Sequence, residues 1–235
     1  MSIDTLLQLF SSSFNIFKKN IRSMAPLIIL YSIGIITLIF YFPAIIVSND
    51  IFIITLFTFL QVLYKIFIIK HIFIHISDIL PTIQIHQSSQ HHILSIDEII
   101  RVSLSIFLLD MFINMIGLLD NFSIFQKFSS ILFLLSIIIT CLFLFVPYIM
   151  IDKKETLKNS IIYSCVLTVN NIGSILLFGV AFLLLGILFI FLITIIFSIG
   201  QGNIFVLLSS IAGSAFYYFI LIWFSLFYFK LSNSE

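Results

Sequence analysis

Residues 175–197 read ILLFGVAFLLLGILFIFLITIIF, a run without a charged side chain. A helix needs roughly 20 mostly apolar residues to cross the hydrocarbon core of a bilayer, and this run is long enough. The strands of a membrane β-barrel would instead alternate apolar and polar residues in shorter segments. The run therefore predicts a transmembrane helix.

The composition of the whole chain agrees with a membrane protein. Of its 235 residues, 61% are hydrophobic and only 9% are charged, whereas about 25% of the residues of a soluble domain are charged. So few charges cannot cover the surface of a soluble fold of this size, which excludes an ordinary soluble enzyme and a disordered chain. The net charge of +1 gives no basis for a nucleic-acid partner.

Six segments are long and apolar enough to be spans. They cover residues 26–47, 51–69, 102–119, 130–151, 175–197 and 204–229. The segment at 102–119 is the least apolar of them, because it contains Asp110 and Asn114. The sequence thus predicts an all-α, polytopic membrane protein with six transmembrane helices in a single integral membrane domain, residues 1–235.

Lysine and arginine concentrate on one side of the predicted spans. Lys127 lies on the opposite side from nine basic residues: Lys18, Lys19, Arg22, Lys70, Arg101, Lys153, Lys154, Lys158 and Lys230. Cytoplasmic loops carry the excess of Lys and Arg, so both termini are predicted to be cytoplasmic. Ile and Phe are abundant and have AT-rich codons, which suggests a bacterial source and hence a multi-pass protein of the bacterial inner membrane.

The first 22 residues have the pattern of an amphipathic helix rather than of a span. The apolar face contains Ile3, Leu6, Leu7, Phe10, Phe14, Phe17 and Ile21. The polar face ends in the basic residues Lys18, Lys19 and Arg22. Such a helix is suited to lie in the cytoplasmic interface, where anionic headgroups attract its basic end. Membrane lipids are therefore predicted partners.

A second helix with a polar face follows the span at 130–151. Its polar stripe recurs every four residues and contains Thr156, Ser160, Ser164 and Thr168. Asp152 and Glu155 fit an N-cap and its capping partner. The basic residues at its start, predicted to lie at the lipid interface, are Lys153, Lys154 and Lys158.

The order of an interfacial helix, a turn at Asn and a two-span hairpin recurs along the chain. Residues 95–98 (SIDE) add a capping box that predicts a helix start before the span at 102–119. The recurrence suggests three similar units at 1–75, 76–151 and 152–235. Any six-span protein with short outer loops would show the same order, so both interpretations stay open.

The region between the fourth and fifth predicted spans resembles the YciC-type inner-membrane proteins. The matching residues are Pro147, Lys154, Ser160, Ser164, Leu167, Thr168 and Asn171. That family is similar to the membrane domain of some glycerophosphodiester phosphodiesterases. Tyr163 stands where an Arg is usual, and residues 120–123 (DNFS) replace a Pro-Gly turn. The resemblance implies a six-span inner-membrane protein without an established activity.

Polar residues within two predicted spans are the candidate intramembrane site. Gln61 and Lys65 share a helical face with Thr58, and Asp110 and Asn114 share one with Ser103 and Gly117. Because polar groups in a span usually face the bundle interior, we expect a Lys65–Asp110 ion pair completed by Gln61 and Asn114. The alternative is that Lys65 reaches the cytoplasmic interface and Asp110 bonds elsewhere.

No other residue pattern predicts chemistry. The five histidines, His71, His75, His86, His91 and His92, lack a clear ligand set and fit a solvated or interfacial loop better than a metal site. The small residues of the last two spans, Gly179, Gly186, Ser209, Ser210, Gly213 and Ser214, predict close packing between those spans. Motifs for hydrolysis and for phosphate binding are absent, so neither enzyme activity, nor a metal, nor a cofactor is expected.

These patterns predict a non-enzymatic envelope or structural factor that interacts with lipid and with other inner-membrane proteins. The alternative is a small transporter or channel that uses the polar faces of the second and third spans.

Overall fold

Every regular element in the described part of the chain is an α-helix, and no strand occurs there. The computed structural model describes residues 1–48, 51–79, 95–118, 129–199 and 203–233. The helices are α1 (Ile3–Ser48), α2 (Ile51–Ile79), α3 (Ile96–Leu118), α4 (Ser129–Leu142), α5 (Val146–Asp152), α6 (Leu157–Asn170), α7 (Ile172–Ile199) and α8 (Asn203–Ser232). The predicted all-α class is therefore confirmed.

Three helical segments of the described residues are long and apolar enough to cross a membrane. They are Ser130–Asp152, Ile172–Ile195 and Val206–Ser232. They coincide with the spans predicted at 130–151, 175–197 and 204–229, which supports a membrane protein. The spans predicted at 26–47, 51–69 and 102–119 fall on α1, α2 and α3 and stay predictions.

The N-terminal helix continues without interruption into the first predicted span. The recurring order predicts a turn at an Asn before the first span, and this is wrong for the Asn there, Asn20, because α1 runs as one helix from Ile3 to Ser48. Asn20 is buried on the helix face that packs inward. Pro26 removes one N–H from the helix, and the Ser23 hydroxyl donates to the Asn20 carbonyl at 2.8 Å in the preceding turn.

The start of α3 follows the predicted capping box. The Ser95 N–H donates to Glu98 Oε2 at 2.8 Å, and the Glu98 N–H donates to Ser95 Oγ at 3.2 Å. These reciprocal bonds satisfy two donors that a helix start leaves without intrahelical partners. The capping box at 95–98 is therefore confirmed.

The start of α6 differs from the prediction. Asp152 is the last residue of α5 and not an N-cap, and the N-cap is Thr156, whose Oγ1 accepts the Asn159 N–H at 3.5 Å. The reason is Lys154, whose φ of 53° is the left-handed conformation that terminates a helix. The chain therefore turns after α5, and α6 begins four residues later than a cap at Asp152 would require.

The chain divides into two compact units, which are described separately. Unit 1 consists of Met1–Thr55 and Ile172–Phe227, and unit 2 consists of Leu56–Asn171 and Tyr228–Glu235. In unit 2, α3 packs against α4 and α5, and α6 packs against the same two helices. The repeat predicted at 1–75, 76–151 and 152–235 stays a prediction.

Aromatic rings join α7 to α8 in unit 1. Phe178 stacks on Phe227 with ring centroids 4.1 Å apart, and Phe189 stacks on Phe216 at 4.0 Å. A Cβ atom added at Gly179, Gly186 or Gly213 would meet nothing within 4 Å. The predicted close approach of the two helices through these glycines is therefore wrong, because large rings fill the space between them.

Two serines of α8, Ser210 and Ser214, contact α1. Ser32 Oγ and Ser214 Oγ lie 2.9 Å apart, and Ser32 Oγ lies 3.4 Å from the Ser210 carbonyl oxygen. All three side chains are buried. The small-residue pattern at 210 and 214 thus does mark a helix contact, but with a helix 178 residues away in sequence.

Candidate functional site

The helical path from α4 to α5 is broken at residues 143–145. Pro147 has no N–H to offer the Phe143 carbonyl, and its ring disfavours a regular helix over the preceding turn. Here the backbone forms 3₁₀-type hydrogen bonds between residues three apart. They join the Leu144 N–H to the Cys141 carbonyl (3.4 Å) and the Val146 N–H to the Phe143 carbonyl (3.1 Å). The Leu142 carbonyl and the Phe145 N–H are thereby left without the partners a continuous helix would supply.

Two side chains of α6 bond to the interrupted backbone. Ser164 Oγ donates to the Leu142 carbonyl at 2.6 Å and accepts the Phe145 N–H at 3.2 Å. Thr168 Oγ1 donates to the Cys141 carbonyl at 3.2 Å. We call Ser164 and Thr168 the clamp. Buried irregular backbone must find its hydrogen bonds within the protein, and the clamp supplies them.

The predicted polar stripe of α6, residues 156, 160, 164 and 168, forms one row whose side chains make different contacts. Thr156 caps the helix start, and Ser164 and Thr168 form the clamp. Ser160 lies between Thr156 and Ser164 along the row and is fully buried, and its Oγ has no hydrogen-bond partner among the described residues. Ser160, Ser164 and Thr168 face the protein interior, whereas Thr156 is exposed.

The outward face of α6 is apolar between its polar ends, which carry Lys158 and Asn159 at the start and Asn170 at the end. Its exposed members, with their exposed fractions, are Ile162 (52%), Tyr163 (47%), Val166 (47%) and Val169 (62%). A helix in water buries its apolar face, whereas α6 buries hydroxyl groups and presents apolar side chains outward. This inverted arrangement is typical of a helix that contacts lipid, because lipid gives apolar side chains no reason to leave the surface.

Charged groups surround the start of α6. Lys153, Lys154 and Lys158 are exposed, as expected for residues predicted at a lipid interface. The Lys154 ammonium pairs with Glu98 Oε1 at 3.6 Å. The bonds from Ser95 and the charge of Lys154 hold the pKa of Glu98 below its usual range. A lowered pKa means that this capping contribution is present at neutral pH and is lost as pH falls through the lowered value.

Two further contacts fix the end of α5. The Tyr228 hydroxyl donates to Asp152 Oδ2 at 2.9 Å. The Tyr228 ring lies 5.8 Å from the Tyr148 ring and 6.3 Å from the Phe73 ring, in stacked orientations. The sequence carried no signal for this cluster, because its members come from three separate segments.

The predicted Lys65–Asp110 pair is only partly assembled. The side chains of Lys65 and Asp110 are half-buried, and their charges are close enough to interact. No ion pair within bonding distance joins them in the part of the chain that the structure describes. Gln61 is exposed, and the side chain of Asn114 lies outside the described ones.

The basic residues of α1, Lys18, Lys19 and Arg22, are exposed as predicted. The predicted apolar face is divided. Ile3, Leu7 and Phe14 are exposed, whereas Phe10 packs edge-on against Trp223 with ring centroids 5.6 Å apart. The row that α1 buries most deeply contains Leu9, Ser13, Ile16 and Asn20. This helix therefore has a packed face, an exposed apolar face and an exposed polar face.

The remaining candidates concern metals and thiols. Among the described residues, no group of three His, Cys, Asp or Glu side chains could hold a metal ion, while His86, His91, His92 and the side chain of His75 lie outside them. Cys141 and Cys165 are free cysteines. Burial raises the pKa of the Cys165 thiol, which therefore stays protonated at neutral pH.

Comparison of the chain with protein-family models, with curated proteins and with solved structures found no significant match. Four residues between the fourth and fifth predicted spans share one place in the fold. Pro147 lies at the break, Ser164 and Thr168 form the clamp, and Asn171 follows α6, where its Nδ2 donates to the Leu167 carbonyl at 3.0 Å.

Proposed function

We propose that this chain is a non-enzymatic, six-span protein of the bacterial inner membrane, with both termini in the cytoplasm, that acts as an envelope or structural factor through contacts with lipid. Its similarity to the YciC-type family is part of the same proposal. Other inner-membrane proteins are further partners. The observation that carries the proposal is the inverted polarity of α6, which buries Ser160, Ser164 and Thr168 and exposes Ile162 and Val169.

The N-terminal helix supports a lipid role independently. Its exposed apolar residues Ile3, Leu7 and Phe14 occupy one side, and the exposed Lys18, Lys19 and Arg22 follow along the same helix. Apolar surface combined with basic residues is how interfacial helices recognise membranes that contain anionic lipid.

The test is native mass spectrometry of the full chain purified in mild detergent. We expect a reproducible bound phospholipid. Replacing Lys18, Lys19 and Arg22 together with Gln should weaken its binding about a hundredfold, because each basic residue near a surface contributes about 1 kcal/mol of attraction, which is about fivefold in affinity. A chain that carries no lipid at all contradicts the proposal, and a bound protein subunit would shift it toward a scaffold.

A small transporter or channel is the second candidate, because two half-buried charges and the exposed Gln61 lie in the second and third predicted spans. Gln61→Cys and Asn114→Cys, each in a Cys141→Ala, Cys165→Ala background, test it. A hydrated cavity would let a membrane-impermeant maleimide label both positions at rates near those of an exposed loop control. We expect slow labelling, and fast labelling of both would favour the transporter.

A further inference from the structure

Three cationic side chains lie close together on α1. Lys18, Lys19 and Arg22 are all exposed. At about 100° and 1.5 Å per residue, they fall within an arc of about 100° around the helix axis and within about 6 Å along it. Side chains as long as those of Lys and Arg can therefore converge on one phosphate group. We call these three residues the α1 cluster.

The positive charge of the α1 cluster is not neutralised within its own unit. In the part of unit 1 that the structure describes, the acidic residue is Asp4. Asp4 and Lys18 lie about 21 Å apart along α1, which exceeds the roughly 8 Å Debye length at physiological salt. No cation of the cluster forms an ion pair with another described residue. The α1 cluster thus offers its full charge to an anionic ligand.

Packing of α1 against α8 holds the α1 cluster outward. The buried row of α1 includes Ile16 and Asn20, which lie about 160–200° around the axis from Lys18. Next to that row, the Phe17 ring contacts the ring of Phe219 on α8, with centroids 5.9 Å apart. A rotation of α1 that turned the cluster inward would break these contacts. The cluster is therefore presented on the opposite side of the helix from α8.

Exposed apolar side chains continue from the α1 cluster into the first predicted span. Ile29, Leu30 and Ile33 are 49%, 64% and 52% exposed. They lie on the same side of the helix as the cluster, and the first of them is about 10 Å beyond Arg22 along the axis. Positive charge followed by exposed apolar surface matches the order of headgroup and acyl chain in a phospholipid.

We propose that the α1 cluster binds the phosphomonoester headgroup of a lipid of the phosphatidic acid class, with an acyl chain along Ile29 and Ile33. A phosphomonoester carries about 1.5 to 2 negative charges at neutral pH and three acceptor oxygens. A phosphodiester headgroup carries less charge and fewer free oxygens, so three cations within reach of one phosphate favour the monoester. This inference rests on the proposed lipid-interacting function and adds its site and its lipid class.

The experiment titrates the full-length chain in mild detergent with the dioleoyl forms of phosphatidic acid, phosphatidylglycerol and phosphatidylcholine. Native mass spectrometry measures the bound fraction. We expect the wild-type chain to bind phosphatidic acid severalfold more tightly than phosphatidylglycerol, and phosphatidylcholine most weakly. Lys18→Gln with Arg22→Gln should weaken binding of phosphatidic acid about 25-fold, since each basic residue contributes about fivefold in affinity. Both side chains are exposed, and an unchanged thermal midpoint verifies that the variant is folded.

Lys153→Gln with Lys158→Gln is the matched control. It removes the same amount of charge from a place where the protein supplies its own anions. Three acidic residues accompany the lysines at the start of α6: Glu98, Asp152 and Glu155. We expect a change of less than twofold in the binding of phosphatidic acid. A loss as large as that of the α1 variant would show that net charge alone determines the affinity, and it would contradict the site.

Glycerol 3-phosphate tests the contribution of the acyl chain. It carries the same phosphomonoester as phosphatidic acid but has no apolar part. At millimolar concentration it should not displace bound phosphatidic acid, because it makes no contact with the exposed apolar side chains beyond the cluster. Displacement would identify a free phosphate ester as the ligand and would overturn the assignment to a lipid.

The outcomes separate the site and the lipid class from the function. If the wild-type chain binds all three lipids equally, or if the Lys18, Arg22 variant retains the preference for phosphatidic acid, the inference is wrong and the lipid role stands. If the wild-type chain binds none of the three lipids, the inference and the proposed function both fail.

Discussion

Replacing Ser164 with alanine is expected to lower the free energy of unfolding by about 2 kcal/mol. The hydroxyl group satisfies both the Leu142 carbonyl and the Phe145 N–H, and it is fully buried. Each group left without a partner costs about 1–3 kcal/mol in a protein interior. The lower end applies, because interhelical hydrogen bonds in membrane proteins contribute modestly. The measurement is reversible unfolding by SDS in mixed micelles, followed by helical ellipticity.

Ser160→Ala is the matched control for Ser164→Ala. Both serines lie on α6, one turn apart, and both are fully buried. Ser160 Oγ has no partner in the described part of the chain, so its removal leaves no bond unmade. We expect a change within about 0.5 kcal/mol of zero. Equal losses for the two variants would show that burial rather than the clamp determines the effect.

Local patterns were sufficient for much of the fold. The spans predicted at 130–151, 175–197 and 204–229 coincide with α4–α5, α7 and α8. They could be predicted because length and apolarity alone define a segment that can cross a bilayer. The capping box at Ser95 and Glu98 formed because its bonds join residues three apart. Such features need no knowledge of the tertiary structure.

The direction of the α6 faces could not be derived in the same way. Periodicity shows that two faces of a helix differ, but it does not show which face points inward. In water the stripe containing Ser160 and Ser164 would face out, and in lipid it faces in. The need for a clamp was also hidden, because the effect of Pro147 on α4–α5 becomes visible only when the unpaired backbone groups are traced to Ser164.

Register explains why the Lys65–Asp110 pair is incomplete. Phe59 of α2 and Phe107 of α3 meet edge-on with ring centroids 5.5 Å apart, which puts these residues at one level. If the helices are antiparallel, as predicted, the Cα atoms of Lys65 and Asp110 lie about 13 Å apart along the axis. Both side chains lean toward their own helix N-terminus and so toward each other. Their charges interact at that separation without a direct bond.

The largest single-residue effect is expected at Trp223, the only tryptophan of the chain. It is 1% exposed, and its ring lies 4.5 Å from Phe178 and 5.6 Å from Phe10 between centroids. Trp223→Ala would leave a cavity where α1, α7 and α8 meet, and truncation of a buried Trp costs about 3–5 kcal/mol. Packing contacts of this kind persist in lipid, since dispersion does not depend on water.

Trp223→Phe distinguishes the contribution of the aromatic ring to stability from that of the indole N–H. The indole Nε1 is buried without a hydrogen-bond partner among the described residues. The Phe variant therefore loses part of the ring contact but also removes an unsatisfied donor, and we expect it to retain more than half of the stability that Trp223→Ala loses. Helical ellipticity during thermal unfolding in detergent measures both variants, because neither keeps an indole for fluorescence. Equal destabilisation by the two substitutions would contradict this account of Trp223.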